Sequence, residues 1–282
     1  MADRERFARK GKGESFKSAG NDGLKRKNRE EGGFEEPSEN VVAGRNAVSE
    51  LLKSERTVDK LYIQKGEREG SLPLIVALAT ERRIPVVEVQ KQKLDALAGA
   101  VRHQGVVALA AQKEYATLQD ILDIAEQRGE PPFLVLCDGI DDPGNLGALI
   151  RCAEGAGAHG VVITKRRSVG LTAVVSKASA GALEHMAVAK VSNLSSAIDE
   201  LKEAGLWIYG AEAGGKPCHK TDMKGPIAVV MGSEGQGISR LVADKCDFIV
   251  SIDMYGKVNS FNVSCAAAVI LCEAVRQRHA EG

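Results

Sequence analysis

Phe133-Leu134-Val135-Leu136-Cys137 is apolar at every position. A strand with one wet face alternates apolar and polar residues, so a run with no polar position must be covered on both sides. Such strands sit in parallel sheets, where each crossover between neighbours lays a helix across a face. The downstream sequence keeps that rhythm. Val161–Thr164, Ala187–Val191, Trp207–Gly210, Ile227–Met231 and Phe248–Ile252 read as strands. Helices are expected at Leu146–Gly155, Thr172–Ala180, Leu194–Ala204, Ile238–Lys245 and Val263–Arg276. The second half is therefore expected to be an α/β domain with a parallel sheet and helices on both faces.

The first half has a different texture. Residues 1–39 carry Gly, Ser, Lys, Arg and Glu with almost nothing apolar, so they cannot bury enough surface to offset ordering entropy and are expected to be a disordered charged tail. Basic residues lead this tail and acidic ones follow, which leaves a phosphate-attracting arm and a merely solvated tail equally open. Residues 40–112 alternate short strands and helices, with helices expected at Gly44–Leu52, Leu72–Arg83 and Lys91–Ala98. They read as a small α/β domain. Residues 113–131 read as a linker containing a helix, ended by Pro131-Pro132, and residues 132–282 as the second domain.

Lys+Arg and Asp+Glu number 38 each, so total charge does not announce a nucleic-acid partner and local distribution must decide. No apolar run reaches bilayer length, so no membrane partner is expected. The six cysteines show no C-x-x-C spacing and read as reduced core residues of a cytoplasmic protein. No His/Cys cluster has metal-ligand spacing, so no metal is expected.

Three loops follow buried strands. Asp141-Asp142-Pro143-Gly144-Asn145 leads into the helix that carries Arg151, and Asn145 is placed to cap that helix at Leu146. Arg151, flanked by Leu149, Ile150 and Cys152, calls for a phosphate or carboxylate partner. Gly232-Ser233-Glu234-Gly235-Gln236-Gly237 lacks the Lys-Ser/Thr of a P-loop. Its exposed backbone and single acid suit a neutral or cationic ligand, although a tight turn with a capping Glu fits too. Ile252 to Ser264 runs from a strand through Asn259, Ser260 and Asn262 into the last helix, with Ser260 where an N-cap is wanted. Gly155-Ala156-Gly157-Ala158-His159-Gly160 matches G-x-G-x-x-G, but a helix leads in and a strand leads out, the reverse of a dinucleotide site. A nucleotide-dependent dehydrogenase fails on this point, and His159 is expected at the surface of that turn.

Together the three loops resemble, in order and wording, the signature motifs of the SpoU/TrmH branch of the SPOUT RNA methyltransferases, over residues 133–278. Val41–Ala111 resembles the ribosomal-protein-like substrate-binding domain of the same enzymes. The combination is most similar to the bacterial 23S rRNA guanosine-2′-O-methyltransferases. The resemblance implies a deep trefoil knot, an obligate homodimer, and S-adenosyl-L-methionine gripped by backbone around Gly232, Ile252, Met254 and Phe261. It places Asn145, Arg151, Glu234, Ser260 and Asn262 on catalytic positions. It implies methyl transfer to a ribose 2′-OH in RNA, a guanosine of 23S rRNA, with tRNA as the alternative substrate. Asp253 departs from the pattern by standing where the family carries proline, and Phe261 where it more often carries Leu.

The residue types suit that reaction. Arg151 falls where the family has its activating residue, yet guanidinium is effectively always protonated, which leaves open whether Arg151 removes the proton or only orients the hydroxyl and stabilises a developing alkoxide. A non-catalytic RNA-binding or ribosome-assembly protein on the same fold is the competing class. The retained Asn145, Arg151, Glu234, Ser260 and Asn262 weigh against it, and failure to bind S-adenosylmethionine in calorimetry would favour it.

Overall fold

The computed structural model describes residues 40–280; the charged tail expected at 1–39 lies outside the described residues. The first sheet holds β1 (Val41–Ala43), β2 (Val58–Gln64), β3 (Val86–Val89) and β4 (Val106–Ala110) in the order β1-β4-β2-β3. β2 and β3 are parallel, and β4 runs antiparallel to both β1 and β2. The alternation of β1 sorts its residues between two cores. Val42 packs with Val48 and Leu51 of α1 (Arg45–Lys53) and Ile75 of α2 (Leu72–Glu81). Val41 and Ala43 face Leu94 of α3 (Lys91–Ala98) and, from far along the chain, Ala173.

The stretch expected to be a linker is tied to the second sheet. Ala116 N donates to Val188 O at 2.9 Å, and α4 (Leu118–Arg128) buries Leu118 and Ile121 against that sheet. Thr117 and Asp120 cap α4 reciprocally, each side chain accepting from the other's backbone N–H.

The second sheet is six-stranded and parallel throughout, as the fully apolar run predicts. It holds β5 (Phe133–Asp138), β6 (Gly160–Thr164), β7 (Ala187–Val191), β8 (Trp207–Pro217), β9 (Ile227–Gly232) and β10 (Phe248–Ser251), in the order β10-β8-β9-β5-β6-β7. Phe133, Val135 and Cys137 face one core, under α5 (Pro143–Gly155) and α9 (Val263–Arg278). Leu134 and Leu136 face the other, with Ile121 of α4 and Ile198 of α7 (Leu194–Glu203). Burial on the first face pushes the Cys137 thiol up to about 12.

Several expectations need correction. α5 begins at Pro143 rather than Leu146. Asp142 is its N-cap, with Oδ1 accepting from Asn145 N at 2.7 Å, and Pro143 fills the first turn, where a missing N–H costs nothing. Ser260 does not cap α9: Asn262 does, its Oδ1 accepting from Ser264 N and Cys265 N. The helices expected at 172–180 and 238–245 shrink to α6 (Ala173–Ala178) and α8 (Arg240–Ala243), while β8 runs on past Gly210 to Pro217. His159 is buried, 2% exposed, with Nδ1 accepting from Phe133 N and Nε2 held to Glu130. Cys265 and Cys272 lie exposed on α9 rather than in the core.

Candidate functional site

At the C-terminal ends of β9 and β10, beside the middle of β8, lies a cavity of about 520 Å³. This is the edge of an open parallel sheet where ligands bind. Its walls come from Ala211–Ala213 within β8, from Met231–Gly237 at the end of β9, and from Val250–Ile252, Met254 and Asn259–Asn262 around and after the end of β10, with Ile270 of α9 adding an apolar surface. The central loop is a tight backbone bracket. Ser233 N donates to Gly237 O at 3.1 Å, and Gly237 N donates back to Ser233 O at 3.0 Å. Asp138, at the end of β5, braces the loop's far side by accepting from Ser239 N at 2.7 Å.

One side chain ties the site together. Asn262 Nδ2 donates to Asn145 Oδ1 at 2.9 Å and also to Glu234 Oε1. Its Oδ1 meanwhile caps α9 and accepts from Ser264 Oγ at 2.6 Å. The residue that starts the last helix thus links the loop after β9 to the start of α5. Because Asp142 does the capping of α5, the Asn145 side chain is released for this contact.

Glu234, Ser260 and Asn262 line the cavity, and Asn145 joins them through Asn262. Gly232, Ile252, Met254 and Phe261 all line it as well. Arg151 does not. It is exposed on α5, six residues beyond Asn145, which on an ideal helix is ~9 Å further along and ~120° away around the axis. Asp253 also lies outside this cavity, with Oδ2 4.0 Å from His219 Nδ1, an ion-pair geometry that proline could not supply.

Sequence reasoning missed part of the wall. Ala211, Glu212 and Ala213 belong to the cavity, and the signal was present: small residues and one acid directly after the strand expected at Trp207–Gly210. It also passed over the exposed turn Lys165-Arg166-Arg167, anchored beside the loop after β5 by Val169 N donating to Ile140 O at 3.2 Å. Among the described residues no three His, Cys, Asp or Glu side chains gather as a metal cage.

Two sequence models match the chain. That of the SpoU rRNA methylase family covers residues 132–272, and one described as RNA 2′-O ribose methyltransferase substrate binding covers residues 41–116. The chain belongs to the SpoU rRNA methylase family. It is an RNA 2′-O-methyltransferase of that family with its substrate-binding module in front. Among relatives, YacO of Bacillus subtilis, assigned to the TrmH family of tRNA/rRNA methyltransferases, is 44% identical over 86% of this chain and 97% of its own. A Staphylococcus haemolyticus protein with the same assignment is 47% identical over 86% and 97%. Among solved structures, the SpoU methyltransferase AviRb of Streptomyces viridochromogenes, crystallised with AdoMet, superposes with a TM-score of 0.71 at 26% identity. That match covers 84% of this chain and 89% of AviRb.

Proposed function

We propose that this SpoU-family enzyme uses S-adenosyl-L-methionine to methylate a ribose 2′-OH of rRNA, a guanosine of 23S rRNA, with the 520 Å³ cavity as the donor site. The observation that carries the reading is the hydrogen-bonded group Asn145–Asn262–Glu234 at the mouth of that cavity. The cavity fits the donor in size, since drug-sized ligands occupy roughly 300–1,000 Å³. It fits in chemistry too. Backbone at Gly232 and Ile252 would hold an adenosyl group, Met254 and Phe261 add apolar walls, and Glu212 and Glu234 favour a cation over a polyphosphate.

When bound, S-adenosylmethionine supplies an electrophilic methyl group on a sulfonium. The chain's own task is then positioning and exclusion of water. Asn262 fixes the Glu234 carboxylate and the Asn145 amide relative to one another, and Ser260 stands at the rim to meet the ribose. Arg151 orients the 2′-OH and stabilises the developing alkoxide, and the hydroxyl proton passes to solvent as the methyl group leaves the sulfonium.

Since Arg151 lies outside its own cavity, we assign it to the cavity of a second copy in a homodimer. An exposed stripe on α9 supports that assembly: Cys265, Val269 and Cys272 recur at helical spacing, with the fully exposed Tyr255 nearby. The same reading includes the knot formed by the last strand, its loop and α9. It also divides the chain into an RNA-binding unit at 40–112 and a methyltransferase unit at 132–282.

The test is mass-spectrometric mapping of 2′-O-methyl groups in rRNA and tRNA from cells with and without the protein. Loss at a guanosine of 23S rRNA is expected. Loss confined to tRNA would replace the rRNA assignment, and the relatives' tRNA/rRNA assignment makes tRNA the second reading.

A further inference from the structure

Where the first sheet meets the second, Lys177 lies within reach of the charge of Arg102, and among the described residues neither has an acidic partner. Lys177 of α6 reaches across to the first sheet and donates from Nζ to Gln104 Oε1 at 2.7 Å. That same Oε1 also accepts from Arg45 N at 3.2 Å, while Gln104 O accepts from Arg45 Nε at 3.0 Å. Gln104 is held in the left-handed region, φ 53°, a conformation seldom adopted without glycine. Arg102 is exposed two residues earlier and close enough for its charge to be felt at Lys177.

Among the described residues no acid neutralises this pair. Arg45 is matched by Glu67 at 2.6 Å. Among the described residues no carboxylate pairs with Lys177 or Arg102. Partial burial, and then the like charge of Arg102, hold the Lys177 pKa below its usual value. A lysine on a long flexible stem escapes such a position by turning into water, unless something holds it. Here Gln104 holds it, and both lone pairs of the Gln104 amide oxygen are already used. The remaining ammonium protons and the Arg102 fork have no protein acceptor among the described residues. An arrangement of this kind costs stability in the absence of an anion and is relieved when one bridges the two cations.

We propose that Arg102 and Lys177, positioned by Gln104, form a phosphate-binding clamp that grips the RNA backbone across the junction of the two units. The inference rests on RNA being the substrate. Its placement fits that role: Arg102 lies in the segment matching the RNA substrate-binding model and Lys177 in the segment matching the methylase. A phosphate held by both fixes the substrate-binding unit against the catalytic one while RNA is bound. Such contacts set register and carry no base specificity.

The experiment measures binding of the full-length protein to protein-free rRNA from cells lacking it, from about 50 to about 200 mM KCl. Each phosphate contact contributes roughly 0.7–0.9 to the slope of log affinity against log salt. Because both cations hold one phosphate, the double variant is expected to lower the slope by about that amount, and Arg102→Ala and Lys177→Ala each by part of it. Lys177→Arg is expected to keep it. Arg102 makes no hydrogen bond among the described residues, so Arg102→Ala is expected not to lower the melting temperature and to leave S-adenosylmethionine binding unchanged. A double variant with the wild-type slope overturns the clamp. So does a result in which only Lys177→Ala weakens binding, together with a lower melting temperature, which marks a structural latch. Wild-type protein that binds rRNA with no salt dependence overturns the RNA reading, and the clamp with it.

Discussion

Replacing Gly232 by alanine tests the donor site most directly, because the structure fixes where the new methyl goes. A Cβ built on Gly232 falls 2.2 Å from the Gly237 carbonyl carbon and 2.4 Å from both Gly237 O and Ile238 N. All three are backbone atoms, so no side chain can swing aside. Ordinary contact begins near 3.4 Å, so the loop must retreat by about 1.2 Å, the difference between 3.4 and 2.2. That movement breaks the two hydrogen bonds between Ser233 and Gly237. At about 0.5–1.5 kcal/mol each, with residual strain added, the cost is about 2–4 kcal/mol. For a chain of this size that lowers the melting temperature by roughly 4–16 °C. Gly235→Ala is the control. It sits in the same loop at φ 82° with nothing within 4 Å, so it meets only the left-handed penalty of about 1–2 kcal/mol. Calorimetric titration with S-adenosylmethionine is expected to show at least a tenfold loss of affinity for Gly232→Ala, about 1.4 kcal/mol, and a smaller loss for Gly235→Ala. Two results would refute the reasoning: a Gly232→Ala protein that melts with the wild type, or one that melts lower yet binds the donor equally well. The second would remove this loop from the donor site.

Three further outcomes are expected. Asn262→Asp keeps a good N-cap for α9 but turns the Nδ2 donor into an oxygen facing Glu234 and Asn145, so melting should hold while methylation of rRNA falls sharply; Asn262→Ala should lose activity and also about 1 kcal/mol of stability by thermal melting. If Arg151 serves the cavity of a second copy, unfolding and refolding a mixture of Arg151→Ala and Glu234→Ala chains restores about a quarter of wild-type activity, since half the dimers then hold one intact site; an unrestored mixture would place Arg151 in its own copy's reaction. Burial holds the His159 imidazole below its ordinary 6.5, against a smaller upward pull from Glu130. The unfolded chain therefore binds the extra proton first, so the stability associated with His159 is complete above about pH 6.5 and declines as pH falls below it. His159→Gln should flatten the melting temperature between about pH 6.5 and 5, and an unchanged slope there would assign the dependence to other groups.

How much of this was legible depends on which energy decided each feature. The second sheet was readable because one term dominates it. Burial on both faces demands apolar residues at every position, and Phe133–Cys137 and Ile227–Met231 carry them. The two caps were misplaced because several small polar residues compete within each loop, and propensity barely separates them. In the first, Asp142 and Asn145 are both good caps, and Pro143 settles the choice by opening the helix at once. In the second, Ser260 and Asn262 compete, and Asn262 is fixed by partners 28 and 117 residues away, which no local pattern records. His159 was placed at the surface because a Gly-rich turn is normally wet, yet the imidazole satisfies the Phe133 N–H that opens β5. These errors and the site share a cause. Moving the α5 cap from Asn145 to Asp142 frees the Asn145 amide, and moving the α9 cap from Ser260 to Asn262 sets the Asn262 amide between Asn145 and Glu234. One asparagine therefore starts a helix with its oxygen and joins the loop of the donor cavity with its nitrogen. A substitution that keeps only the oxygen separates the two roles, so stability and activity at position 262 need not move together.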